Sequence, residues 1–253
     1  MKKAIIKTNK LCKSYIIGKQ GLNVLKNIDL DIYEGDFTII MGRSGSGKST
    51  LLYSLSTMDR PTSGSIQLLG KEISNISEKE VADIRKKDIS FIFQSINLLP
   101  DLSIFENIAY SGYGSGTGSK TEINKKTREL LERFDLSEIK DKYPSEVSGG
   151  QQQRTAVARA LITGAKIVFG DEPTGALNSS AGKEVLDVLT EINRNGQTIV
   201  MVTHDLKAAR RASRLMYLTD GRIDGDLQLG KYVESDKENR DNLIYNFLKE
   251  RGW

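Results

Sequence analysis

Only one cysteine, Cys12, occurs in the 253 residues, so no disulfide can close within the chain and a reducing compartment is expected. Long apolar runs are missing too: nothing approaches the roughly 18 consecutive apolar residues of a membrane-spanning helix. The opening M-K-K-A-I-I-K-T-N-K has too short an apolar run for a secretory leader. If the protein serves a membrane process, another chain must supply the membrane part. Charge of one sign is also lacking, with 37 Lys and Arg against 33 Asp and Glu, a net charge of +4. No dense basic block with interleaved aromatics occurs, which argues against a nucleic-acid partner. No N-K-x-D base-reading motif is present, which argues against a GTPase, and no repeat at a solenoid period is found. What remains, 38% hydrophobic and 28% charged residues, suits one large or two small globular units rather than disorder.

Against these absences stands G-R-S-G-S-G-K-S-T: Gly42, Arg43, Ser44, Gly45, Ser46, Gly47, Lys48, Ser49 and Thr50. It fits G-x-x-x-x-G-K-[ST], in which glycines let the backbone wind around a polyphosphate with its N–H groups facing the anion. Lys48 then reaches the β- and γ-phosphate oxygens, and the Ser49 hydroxyl holds Mg²⁺. The context agrees. Asp36–Met41 predicts a buried strand, and Ser49–Met58, with Leu51, Leu52, Leu55 and Met58 on one face, predicts a helix whose N-terminus meets the phosphates. A nucleoside triphosphate is the implied ligand.

Elsewhere, Ala4–Leu11 and Leu25–Ile32 alternate as strands around a turn at Gly18 and Gly21. Spacing leaves Tyr15 open between an ordinary half-buried aromatic and a ring stacked on adenine. Ser65–Leu69 and Ile89–Phe93 are further strands, and Glu78–Lys87 a charged helix. Residues 95–163 then change texture towards a helical insertion. A capping box opens at Ser103 with Glu106, Tyr113–Thr121 is a Gly/Ser-rich flexible loop, and Lys125–Phe134 resumes helix. Ser148-Gly149-Gly150-Gln151 is a second capping box. Strands at Lys166–Gly170, Thr198–Thr203 and Leu215–Leu218, with an amphipathic helix at Gly182–Asn193, complete an α/β alternation. Such alternation implies a parallel sheet with functional residues at the strands' carboxyl ends. A capped helix at Ser235–Lys249 places Leu243, Ile244, Phe247 and Leu248 on one face, to pack on the body or on a partner.

Three strand ends carry further chemistry. Asp171 is placed to hold Mg²⁺ through its water shell, and Glu172 to act as general base towards the γ-phosphate. Gln94 can bridge Mg²⁺ and the attacking water. His204, the sole histidine, can hydrogen-bond the γ-phosphate. The bare glycines after Ser148 form a second anion-friendly helix start, far along the chain from the first. One nucleotide needs both only if they come from different copies, which implies a head-to-tail pair.

These residues resemble the ATPase subunits of ABC transporters over nearly the whole chain. The resemblance implies a P-loop NTPase fold with a RecA-like parallel sheet core, an antiparallel β part and a helical insertion. Catalytic core segments would be 1–94 and 164–230, the helical subdomain 95–163, and a C-terminal helix 231–253. Tyr15 is similar to the adenine-stacking aromatic, Gly42–Ser49 to the Walker A loop, and Gln94 to the Q-loop glutamine. Val147-Ser148-Gly149-Gly150-Gln151 is similar to the signature, Asp171 and Glu172 to the Walker B aspartate and catalytic glutamate, and His204 to the switch histidine. The implied cofactors are ATP and Mg²⁺. The implied partners are a second copy and a multi-helix permease at the cytoplasmic face of the membrane, met by the insertion and by the segment after Gln94. Two positions depart from the family pattern: Val147 replaces leucine, and Asn178 replaces the aspartate that follows Walker B.

E-P-T-G-A-L-N and S-G-G-Q-Q-Q-R resemble the branch of macrolide exporters, lipoprotein-releasing systems and antimicrobial-peptide systems. The stretch from Gly35 to Gly64 and the tail N-F-L-K-E-R-G-W look most like the bacitracin-type resistance subgroup, whose members also signal to a sensor kinase. A mechanotransmitting, lipoprotein-release or cell-division ATPase is the alternative within the same branch. ABC ATPases of ribosomes or DNA carry two cassettes or a long coiled-coil insertion, and this chain has neither.

Overall fold

Alternating apolar and polar side chains build β1 (Ala4–Ile17) and β2 (Gln20–Tyr33), an antiparallel pair joined at Gly18. Both strands outrun the predicted spans because Ile16, Ile17 and Leu22 continue the hairpin into solvent, past the buried alternation. The structure, a computed structural model, describes residues 2–175 and 177–253. β3 (Phe37–Met41) is buried at all five positions and leads to α1 (Lys48–Leu55). That helix stops short of Met58, predicted on its apolar face: Thr57 turns the chain at φ +64°, and Met58 is exposed. β4 (Ser63–Leu68) pairs antiparallel with β1, and β5 (Lys71–Glu72) with β4. α2 (Glu78–Lys87) has acids in its first turn and bases in its last, complementing its dipole, and precedes β6 (Ile89–Ile92).

The insertion begins with α3 (Ile104–Ser115), opened by the Ser103–Glu106 capping box as predicted. The predicted flexible loop at Tyr113–Thr121 is corrected. Gly116, at φ +68°, ends α3, and Ser119 with Glu122 forms another capping box that opens α4 (Lys120–Arg133). Glycine inside α3 has a packing cause: a Cβ on Gly112 would lie 2.7 Å from Ile123 and 2.9 Å from Ile162. Then follow α5 (Gly149–Leu161), β7 (Ile167–Asp171), α6 (Ser179–Arg194), β8 (Thr198–Val202), α7 (Leu206–Ala209), β9 (Arg214–Thr219), β10 (Arg222–Gln228) and α8 (Lys237–Lys249). β10 has no counterpart among the sequence expectations, because R-I-D-G-D-L-Q offers only two apolar side chains.

α8 also differs from expectation. A 3₁₀ turn at Glu234–Asp236 precedes it, and no side chain caps its start. Its anchor is Arg240, 1% exposed, which donates to the carbonyls of Arg210, Ala212, Leu229 and Gly230. Ile244, Phe247 and Leu248 are buried as predicted, whereas Leu243 lies on the exposed side.

The described residues form two compact units. One comprises Met1–Val81 and Thr190–Trp253. It holds an antiparallel sheet in the order β2-β1-β4-β5, and a second set in which β3 lies between β8 and β9, parallel to both. β10 pairs antiparallel with β9. The other unit, Ala82–Leu189, holds the parallel pair β6–β7 and packs α3 against α4 and α5. Near-continuous apolar runs such as those of β3, β7 and β8 are what strands buried on both faces require. The α/β class with an antiparallel part and a helical insertion is the one expected.

Candidate functional site

In the first unit, β3 delivers the chain to the glycine loop at its carboxyl end. A Cβ on Gly42 would lie 2.2 Å from the Leu218 carbonyl oxygen and 2.7 Å from Ser46 Oγ, so β9 and the loop leave room only for glycine. Gly45 and Gly47 sit at φ +79° and +101°, in the left-handed region that glycine enters without penalty. Gly47 begins α1 with no side-chain cap, and no acid stands in the first turn. That arrangement keeps the positive end of the helix dipole for an anion. Lys48 Nζ folds over the loop, donating to the carbonyls of Gly42 (2.9 Å) and Arg43 (3.0 Å). Ser46 Oγ is buried without a hydrogen-bond partner, while the Ser46 carbonyl accepts from Gly221 N–H at 3.1 Å. The Arg43 side chain donates to the Gly252 carbonyl, beyond α8. Ser44 is exposed, and Ser49 and Thr50 are half-buried.

His204 follows β8 at the same edge. The register pairs Ile40 with Val202, and Thr203 N–H donates to the Ile40 carbonyl at 3.3 Å, so His204 emerges beside the start of the loop. Asp205 N–H donates to Thr203 Oγ1 at 3.0 Å, and the Asp205 carboxylate accepts from Lys207 N–H at 2.8 Å to cap α7. These bonds fix the turn that carries the imidazole. Tyr15, on β1, is 37% exposed, and its hydroxyl donates to Asp59 Oδ2 at 2.5 Å.

In the second unit, β6 and β7 run parallel with Ile92 opposite Gly170, so Gln94, Asp171 and Glu172 leave one common edge. Asp171 is the last residue of β7 and is buried. Glu172 takes φ +43°, a conformation that costs a residue with a side chain about 1–3 kcal/mol and that clusters at functional sites. Its carbonyl accepts from Gly175 N–H at 3.0 Å, closing the turn.

Ser148 caps α5 with its predicted box: Ser148 Oγ accepts from Gln151 N–H at 3.3 Å, and Gln151 Oε1 accepts from Ser148 N–H at 2.9 Å. A cleft of about 360 Å³ opens here, lined by Ser148, Gly149, Gly150, Gln151, Arg154, Asn178 and Glu184 among others. Arg154 pairs with Glu184 across it. Asn178 Oδ1 accepts from Ala181 N–H at 2.9 Å, so the amide does for α6 the capping that an aspartate would also do. Ala176, in the same G-A-L-N run, lies outside the described residues.

The sequence profile of the ABC transporter family matches residues 25–175. The chain belongs to the ABC transporter family. An uncharacterised ABC transporter ATP-binding protein of Bacillus subtilis (strain 168), YknY, is 42% identical over 219 residues, 87% of this chain and 95% of that protein. The macrolide export ATP-binding/permease protein MacB of Escherichia coli is 44% identical over 224 residues, 88% of this chain. This chain spans only 34% of that exporter's length. Among solved structures, the dimeric post-hydrolysis state of the ATP-binding cassette MJ0796, bound to ADP and Pi, matches with a TM-score of 0.83 at 37% identity, over 90% of this chain and 100% of that one. The chain is thus an ATP-binding cassette of the ABC type, an ATPase of a transporter system. No helix among its described residues is long and apolar enough to cross a membrane.

Two residues of the cassette escaped sequence reasoning. Asn107, fully buried on α3, accepts from Leu99 N–H at 2.8 Å and donates to the carbonyls of Leu99, Leu102 and Ser103. Arg159, on α5, donates to the carbonyls of Asn97 (2.6 Å) and Ile96 (3.1 Å). Together they clamp the loop that follows Gln94, beside a groove of about 380 Å³ lined by Phe91, Phe93, Leu99 and Tyr110. An asparagine between Ile104 and Ile108, on an otherwise apolar helix face, was the available signal for Asn107. Nothing in the spacing marked Arg159.

Proposed function

We propose that this cassette hydrolyses ATP as one of a pair, each nucleotide held by the glycine loop of one copy and the Ser148–Gln151 helix start of the other. The observation that supports this most is the contrast between an uncapped, lysine-bearing loop and a second glycine-bearing helix start within one chain. The dimeric form of MJ0796 is in keeping with it. In this reading, Tyr15 stacks on the base and Lys48 holds the β- and γ-phosphates. Ser49, Gln94 and Asp171 are hard oxygen donors of the kind Mg²⁺ takes alongside substrate phosphates. Bound Mg²⁺ would neutralise charge on the phosphate oxygens. Glu172 takes the proton of the attacking water, and His204 hydrogen-bonds the γ-phosphate and fixes the angle of attack.

The partner in this reading is a multi-helix permease that holds the cassette at the cytoplasmic face of the membrane. It meets the 95–163 insertion and the segment after Gln94, beside the groove that Leu99 and Tyr110 line together with Phe91 and Phe93. The G-D-F-T-I-I-M-G-R-S-G run and the tail N-F-L-K-E-R-G-W are what favour resistance to cell-wall-directed peptides of the bacitracin type, with a sensor kinase contacted through the permease. The test is to purify the cassette with its membrane partner and measure ATPase activity with and without bacitracin. A peptide-dependent rise is expected. A rate that responds to the permease but ignores every such peptide would overturn the cargo assignment, and no hydrolysis in the complex would overturn the whole reading.

A further inference from the structure

Tyr15 is held on two sides before any ligand arrives. Its hydroxyl donates to Asp59 Oδ2 at 2.5 Å, and the other oxygen of that carboxylate accepts from Lys13 Nζ at 2.5 Å. Lys13 also donates to the Arg60 carbonyl at 2.7 Å, and its side chain is only 11% exposed. The same ammonium stands 4.8 Å from the centroid of the Tyr15 ring, within cation–π range. Asp59 is itself fixed just past the far end of α1, where its N–H donates to the Tyr53 carbonyl at 3.1 Å. One face and the tip of the ring are therefore committed to the protein, which leaves the remaining face for a flat ligand.

The ionisation states suit these bonds. Burial and the neighbouring carboxylate raise the Tyr15 phenol above its ordinary value, so it stays a donor at neutral pH. Burial pushes Asp59 up, but hydrogen bonds from Lys13 and Tyr15 and the charge of Lys13 outweigh it and hold the carboxyl below its usual range.

We propose that Asp59, backed by Lys13, is a positioning residue that presets the Tyr15 ring as the platform for the base, so that affinity for the base depends on the Asp59–Tyr15 hydrogen bond while affinity for the phosphates does not. This rests on the reading that Tyr15 stacks on adenine. A side chain already ordered spares the complex the entropy of ordering it, and losing that advantage weakens binding by about 2- to 10-fold. Losing the ring altogether weakens it by about tenfold or more, the usual effect of removing an aromatic platform under a base.

The experiment is calorimetry on the whole chain with two probes, ATP and inorganic tripolyphosphate, the second lacking a base. Asp59→Ala should weaken ATP by about 2- to 10-fold and leave tripolyphosphate unchanged. Asp59→Asn, which keeps an acceptor oxygen, should recover most of the loss. Tyr15→Phe, which removes only the hydroxyl, should match Asp59→Ala, and the double variant should be no worse than either, because both act through one bond. Equal loss for both probes, or additive losses in the double variant, would overturn the proposal. If Tyr15→Ala weakens ATP but Asp59→Ala and Tyr15→Phe do not, positioning fails while the platform stands. If Tyr15→Ala binds ATP like the parent, the platform reading fails and the proposal falls with it. Should Asp59→Ala not fold, Tyr15→Phe alone decides, with unchanged ATP affinity overturning the idea.

Discussion

The starts of α1 and α5 are both glycine-bearing, yet they are built in opposite ways. α1 begins at a left-handed Gly47 with no side-chain cap, no acid in its first turn and a lysine folded over the loop. α5 begins at Ser148, whose hydroxyl and backbone N–H are both engaged with Gln151 in a reciprocal box. The loop before α1 is braced by β9 and by Gly221, so its shape is paid for by the fold around it. The start of α5 braces itself. A site that must grip a polyphosphate needs its backbone dipoles kept for the ligand. A site that only closes over a phosphate from outside can satisfy its own helix first and still present a hydroxyl and bare glycine backbone.

The contrast can be broken most sharply at the chemistry. Glu172→Gln should lower turnover by roughly 10²–10⁴, the range for losing a general base, while calorimetry finds ATP binding intact. Hydrolysis at the parent rate would remove Glu172 from the reaction. Next in size, Lys48→Ala should weaken ATP by about 10- to 100-fold, since hydrogen bonds to a charged group are worth about 1.5–3 kcal/mol. The same measurement on Ser148→Ala, in a single isolated copy, should show no change. Equal losses from both would erase the distinction between gripping and closing.

What was legible in the sequence follows from how local each signal is. The strand, the glycine loop and α1 were legible because periodicity and backbone freedom are written within a dozen residues. The capping boxes at Ser103 and Ser148 were legible for the same reason. Tyr113–Thr121 was misread because its glycines read as one loop, whereas Gly116 only ends α3 and Ser119 with Glu122 at once opens α4. β10 was missed because sheet pairing with β9, not its own hydrophobicity, holds it. Leu243 was misassigned because the anchor of α8 is the buried Arg240, and that sets which face turns inward. At the site, strand ends pointed to Gln94, Asp171, Glu172 and His204. The supports of the site, Asn107, Arg159 and Asp59, act across as many as 63 residues of chain and left little or no trace in spacing.

Smaller effects sharpen the same comparison on the α5 side. Ser148→Ala removes a helix cap worth about 1 kcal/mol, so thermal unfolding should move down by about 2–4 °C. An unchanged midpoint would mean that the box adds nothing to the fold. Gly149→Ala should have the smallest effect of all on the isolated chain. A Cβ there meets nothing within 4 Å, and the residue is not in the left-handed region, so alanine is sterically free and the better helix former. Gly150 is the control, since a Cβ on it would come within 2.9 Å of Ala181 Cβ. If a second copy's nucleotide approaches the bare backbone of Gly149, the methyl group that the single chain tolerates must obstruct the pair. ATPase activity of the assembled complex should then fall while the unfolding midpoint holds or rises. Full activity with alanine at this position would mean that nothing comes close to the α5 backbone, and the two helix starts would not share a ligand.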